Sequence, residues 1–252
     1  MGFLTDVFHW FTASAHWHGT NGIPHRLYEH TAMSLGATAA AIAIALPLGV
    51  LLGHGGRHGV GGRIGVNISN LGRAVPSLGI LYFLAVAIGL RGYPGFGARP
   101  ALVAMVALAI PPIVTNTYIG VGDVDPEARE AAVGMGMTGW QVLRRVELPL
   151  ALPLVMAGIR TSAVQVVATA TLAALTAWGG LGRYIVDGFS QFDNVQLFSG
   201  ALLVALLAIV TEVVLGVVQR GLTPGGLEPR GQSGKPEAGE PAAQPAVLAP
   251  PT

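Results

Sequence analysis

Charge is scarce in this sequence, with Asp, Glu, Lys and Arg making up only 11% of its 252 residues, so the side chains able to do chemistry stand out. Arg160 and Glu212 lie several residues inside otherwise apolar runs. Counted from Pro153 and Val218 at 1.5 Å per residue, both sit about 9–11 Å deep. Equal depth with opposite sign predicts an ion pair between neighbouring helices, because a lone charge in hydrocarbon is costly. Separate snorkelling to the interface is the alternative. A second set is uncharged. Ser162, Gln165, Thr169 and Thr176 fall near one helical face by three-and-four spacing, and Asn116 lies at the end of a neighbouring apolar run. Such a stripe either bonds helices to one another or lines a hydrophilic path for a solute.

Other chemistries fare worse. His9, His16 and His18 suggest a metal site, but His-x-His does not put both rings on one helical face, and Asp6 is the one carboxylate nearby; no metal is expected. The glycines of 53–62 are not followed by Gly-Lys-Ser/Thr, so a phosphate loop is excluded there. A membrane-embedded enzyme would need convergent catalytic groups, and the apolar runs offer no His, no Asp and no carboxylate pair. The net charge of +1 points to no nucleic-acid partner. Without cysteine there is no disulfide or thiolate metal site.

The elements that must position these groups follow from hydropathy. A soluble domain carries about a quarter of its residues as charged types; here 52% are hydrophobic and the mean hydropathy is +0.58, which suits a chain solvated by lipid. Five stretches, 31–52, 74–90, 101–118, 150–177 and 198–218, are apolar enough to be read as spans of a roughly 30 Å hydrocarbon layer. The predicted fold class is an all-α polytopic membrane protein, with residues 31–220 as the membrane domain. Pro111-Pro112 must break helical hydrogen bonds, which predicts a kink or a lining of the pathway. Residues 1–30 mix aromatics, histidines and polar groups as interfacial segments do, and lack the basic and apolar regions of a signal peptide. Residues 221–252, rich in Pro, Gly, Ala and Gln, are predicted to be disordered.

Between the third and fourth spans, 119–149, lies a polar loop. Asp125-Pro126 is a helix start, Gly134 and Gly136 break that helix, and Thr138 with Gln141 has the spacing of a capping box that starts another. Pro149 and Pro153 are expected to end it. Such a compact loop on a membrane protein implies that something docks on it.

Glu130-Ala131-Ala132, Gly136 and Leu148-Pro149 resemble the EAA signature of binding-protein-dependent ABC importer permeases, with the signature's spacing kept at every fixed position. The fold implied is that of type I ABC importer membrane domains, with the 119–149 loop carrying the helix that couples to a cytoplasmic ATPase. The region beyond is similar to the osmoprotectant permeases, which take up glycine betaine, choline or carnitine: Leu148–Pro153, Ala157–Arg160, Ala168–Ala173, Gly179–Gly182, Glu29-His30, Val75–Leu78 and Asn116–Tyr118 carry the likeness. Two positions depart from that group's pattern, Thr115 where Arg is expected and Trp178 where a small residue is expected. A permease for another small solute, such as methionine or another amino acid, is the alternative, and a channel would leave the signature unexplained.

The resemblance implies alternating access through two permease chains, a homodimer or a pair of paralogues. An extracytoplasmic binding protein would deliver the solute, and separate ATPase subunits would bind ATP and Mg; this chain would hold no cofactor and hydrolyse nothing. It also implies a bacterial cell membrane location. With the loop inside, Arg57, Arg63, Arg129, Arg144, Arg145, Arg220, Arg230 and Lys235 fall on the cytoplasmic side, with the C-terminus, against Arg26, Arg91, Arg99 and Arg183 outside. The positive-inside rule agrees with that orientation.

Overall fold

The computed structural model describes residues 2–54, 76–92 and 95–223, and every regular element among them is a helix. In chain order these are α1 (Phe3–Thr12), a 3-10 turn (Ser14–Trp17), α2 (Ile23–His54), α3 (Ser77–Leu90), α4 (Ala98–Gly122), α5 (Pro126–Gly134), α6 (Gly139–Val142), a π-helical turn (Leu143–Glu147), α7 (Leu148–Thr169), a 3-10 segment (Ala170–Thr176), α8 (Gly182–Ser190) and α9 (Asn194–Leu222). Among the described residues four stretches are long and apolar enough to cross a membrane: α2, α4, the continuous run Gly139–Thr176, and α9. The apolar α3 has 14 residues, and the start of the expected span 74–90 lies outside the described residues. So does the tail from 224 onward.

A ladder of small residues holds α2 to its neighbours. Ala37, Ala41 and Ala45 are wholly buried at four-residue spacing, and Gly49 and Gly53 continue the row. Lipid tails are as apolar as leucine, so helices in a membrane associate through close packing, which small residues permit. Here the approach is extreme: a Cβ on Gly49 would lie 2.6 Å from the Thr117 Cβ, and one on Gly53 would lie 2.9 Å from the Tyr118 carbonyl oxygen. On the other face of α4, a Cβ on Gly158 of α7 would meet Asn116 at 2.7 Å. So α2, α4 and α7 form the packed centre, with α3 laid against α4 and α9 against α7.

Helix α2 begins at Ile23, ahead of the expected span 31–52, because the polar residues of its first turns satisfy one another: His25 and Arg26 pair with Glu29 at 3.3 and 2.8 Å. Pro111 and Pro112 lie buried within α4, which runs on past them, and the Ser162 hydroxyl of α7 donates to the Ala109 carbonyl at 2.7 Å. Pro149 and Pro153, expected to end the helix before them, do not: Pro149 lies where the π turn passes into α7, Pro153 lies within α7, and the helical run continues past both.

The N-terminal helix α1 packs on later elements. Trp10 of α1 packs edge-on to Tyr184 of α8 at 5.3 Å, and Phe3 meets Phe198 of α9 at 5.4 Å.

Candidate functional site

The polar loop folds into a compact foot. Asp125 caps α5 by accepting the Glu127 N–H at 2.9 Å, with Pro126 next. The far end of α5 closes as a Schellman motif, with Met137 N–H bonded to the Ala132 carbonyl and Gly136 N–H to that of Val133. That motif needs a left-handed residue, and Gly136 has φ +84°. The signature's glycine thus has a backbone reason. The Thr138–Gln141 capping box is present in both directions and starts α6.

Of the signature residues, Ala132 is buried against the foot, Glu130 and Ala131 are exposed on α5, and Leu148 and Pro149 open α7 half-buried. Around them the foot presents apolar side chains that no membrane protein needs at a polar loop: Val133, Met135 and Trp140 are 60, 72 and 64% exposed. The Arg144 guanidinium stands over the Trp140 ring at 5.4 Å, and with Gln141 and Arg145 they frame an open hollow of about 440 Å³. A rigid helix–turn–helix with an apolar and cationic face is suited to dock a protein partner.

Beneath that face lies a charge cluster that sequence reasoning missed. Glu147 is 1% exposed. One carboxylate oxygen accepts from His54 Nδ1, the last residue of α2, at 2.6 Å; the other lies 3.0 Å from Arg129 Nε on α5. Arg129 also donates to the Val121 carbonyl at the end of α4. A signal existed in the sequence, since Glu147 directly precedes the apolar run beginning Leu148-Pro149-Leu150, but Arg144 three residues back offered a local partner that the structure does not use.

Deeper in, Arg160 of α7 and Glu212 of α9 are paired. Arg160 also donates to Gln219 Oε1 at 2.6 Å, and Gln219 donates to the Pro153 carbonyl at 3.2 Å. Gly216, between Glu212 and Gln219 on the same face of α9, leaves room for the guanidinium at 3.7 Å.

The five uncharged candidates are not one surface. Ser162 is wholly buried on Ala109. Asn116 donates to its own helix at the Pro112 carbonyl, and Thr115, in the place where the resemblance led one to expect Arg, does the same at Pro111, each at 2.8 Å. Gln165 is half-buried, and Thr169 bonds back to the Gln165 carbonyl at 2.8 Å. Past Thr169 the backbone tightens into the 3-10 segment, whose three-residue repeat takes Thr176 off the stripe. Thr176 is wholly buried and donates to the Gly97 carbonyl at 3.1 Å, tying the end of that segment to the start of α4. An apolar groove of about 380 Å³ between α2, α7 and α9 is lined by none of the five.

The far end of α2 forms a second polar cluster. Glu29 accepts the Gly180 N–H at 2.8 Å, and His30, 1% exposed, accepts from Leu181 N–H at 3.3 Å while bonding the Val167 carbonyl at 2.9 Å. Such partners require a neutral ring with its proton on Nε2. Nearby, the Tyr184 hydroxyl donates to the Asn21 carbonyl at 2.6 Å, and burial pushes its phenol up to about 12. His16 and His18 turn to the backbone oxygens of Trp10 and Ser14, and among the described residues no three His, Cys, Asp or Glu side chains converge as a metal site.

Comparison with known proteins agrees with this geometry. Residues 45–225 match the family described as binding-protein-dependent transport system inner membrane component. The chain is 40% identical over 203 residues to a Bacillus subtilis glycine betaine/carnitine/choline transport system permease protein, OpuCB, covering 80% of this chain and 89% of that one. It is 41% identical over the same length to the B. subtilis choline transport system permease protein OpuBB. Among solved structures, an inward-facing MetNI methionine ABC transporter superposes with a TM-score of 0.68 at 23% identity, covering 78% of this chain and 94% of the other. An amino acid ABC transporter with histidines superposes at 0.67 and 14% identity, covering 88% and 99%. At such identities the last two establish the fold, that of type I ABC importer membrane domains. With the family match spanning most of its length, the chain belongs to the inner membrane components of binding-protein-dependent transport systems.

Proposed function

We propose that this chain is the permease subunit of an ABC importer that moves a quaternary amine such as glycine betaine, choline or carnitine into the cell. The observation that carries the transport reading is the foot: a capped, Schellman-closed helix pair with Val133, Met135 and Trp140 turned outward. ATPase subunits dock there on the cytoplasmic side, holding the ATP and Mg²⁺, and the C-terminus lies on that same side. A second permease chain completes the pathway, and an extracytoplasmic binding protein delivers the solute.

The solute class rests on relatives whose own names carry glycine betaine, carnitine and choline. Quaternary ammonium groups are held by aromatic faces. In the spans such rings are few: Tyr118 is buried, and Tyr28 on α2, Tyr82 and Phe83 on α3 and Phe198 on α9 stand exposed. Tight selection of the solute therefore belongs to the binding protein, and the membrane path discriminates less.

Uptake into vesicles holding the purified permease, ATPase and binding protein tests this. ATP-dependent accumulation of at least one of glycine betaine, choline and carnitine is expected. Absence of transport for all three, with an amino acid carried instead, would overturn the solute class and leave the family membership standing.

A further inference from the structure

A carboxylate removed from water is unfavourable unless its charge and lone pairs are met by partners. For Glu147 the partners come from two other helices: His54 of α2 hydrogen-bonds one oxygen at 2.6 Å, and the Arg129 guanidinium of α5 lies 3.0 Å from the other as a charge partner. It lies inside the signature stretch, yet at a position the signature leaves open. The local backbone is also unusual. Residues Leu143–Glu147 form a π turn, a widened geometry that is rare and concentrates at functional sites. It leaves Arg144 and Arg145 exposed and turns Glu147 inward.

We infer that Glu147 is the positioning residue through which displacement of the foot reaches the spanning helices; this rests on the importer reading above. Helix α5 packs chiefly on α6 and the π turn, so its ties to the spans are largely electrostatic. Through Arg129 the Glu147 carboxylate holds α5, and that same guanidinium holds the end of α4 at Val121. Through His54 it holds the end of α2. Its own backbone leads directly into α7. One buried charge thus joins the ATPase-facing helix to three membrane helices. Moving α5 without it would shift the foot and leave α2 behind.

The test uses the complete importer in vesicles, reading solute moved per ATP hydrolysed. Glu147→Gln keeps the volume and one acceptor but removes the charge, and the assembled complex is expected to move about fivefold less solute per ATP. A merely structural part would lower the amount of complex and leave that ratio intact, so a native ratio in Glu147→Gln overturns the inference. Should that variant fail to assemble, His54→Gln carries the test, because the His54 side chain is 40% exposed and tolerates exchange. The same fall in ratio supports the inference, and an unchanged ratio overturns it. Where both variants assemble, the double variant is expected to be no worse than Glu147→Gln alone, and falls that simply multiply would overturn a shared path. Failure of the native chain to co-purify with its ATPase is a different result, and would remove the importer reading itself.

Discussion

At its N-terminal end α2 is fastened by Glu29 and His30 to main-chain groups, the N–H of Gly180 and Leu181 and the carbonyl of Val167. At its C-terminal end His54 meets a side-chain carboxylate, which in turn holds a guanidinium. The first arrangement depends on a neutral ring locked between backbone partners; the second depends on charge carried by flexible side chains. Backbone groups cannot leave without unfolding the loop that bears them, whereas side chains can change partner. One helix is therefore anchored at one end and connected through an adjustable contact at the other, and the adjustable end is the one that faces the foot.

Substitutions at the two ends should separate these roles. The largest effect is expected from Glu147→Ala, which leaves Arg129 and His54 facing a void: about 3–5 kcal/mol lost in reversible unfolding in mixed micelles. A loss below that of His30→Leu would reverse the ranking of the two ends. His30→Leu should cost about 2–3 kcal/mol in the same measurement, since it orphans the Leu181 N–H and the Val167 carbonyl. Solute moved per ATP is expected to stay native in that variant; a drop there would mean that the N-terminal end is adjustable too. Gly182→Ala should cost about 2 kcal/mol, because its Cβ would sit 2.3 Å from the Thr171 carbonyl oxygen, with backbone and not side chain in the way.

The smallest effect belongs to the pair away from both ends. Arg160 and Glu212 have side chains 29 and 44% exposed. The swap Arg160→Glu with Glu212→Arg restores the pairing and should lie within about 1 kcal/mol of the native chain, while either reversal alone sets like charges together at depth and loses transport that the swap recovers. No recovery in the swapped chain would mean that the two charges act separately.

Much of the foot could be read from residue types. Asp125-Pro126, Thr138 with Gln141, and Gly136 each act through bonds within a few residues, so spacing along the chain suffices. The Arg160–Glu212 contact was legible for another reason: lone charges in apolar runs have few partners at matching depth. Glu147 with His54 was not, because the partners are 93 residues apart and neither stands out among local charges. The polar stripe misled as a single face because helical periodicity was carried past Thr169, where the 3-10 segment begins. The extension of α2 ahead of the span 31–52 was not legible, because hydropathy counts His25, Arg26 and Glu29 as polar, although they pair with one another on the helix.

The glycine contacts between α2, α4 and α7 restrict how this molecule can deform. Shifting α2 along α4 by one position would carry a larger residue into the places of Gly49 and Gly53, where backbone oxygens lie 3.0 and 2.9 Å from any added carbon. At Gly158 the Pro112 oxygen is equally close, at 2.9 Å. At these three places sliding meets backbone oxygens and not the yielding ends of side chains. Slip is left to the seam with α9, whose most apolar window is only 6% buried within the chain.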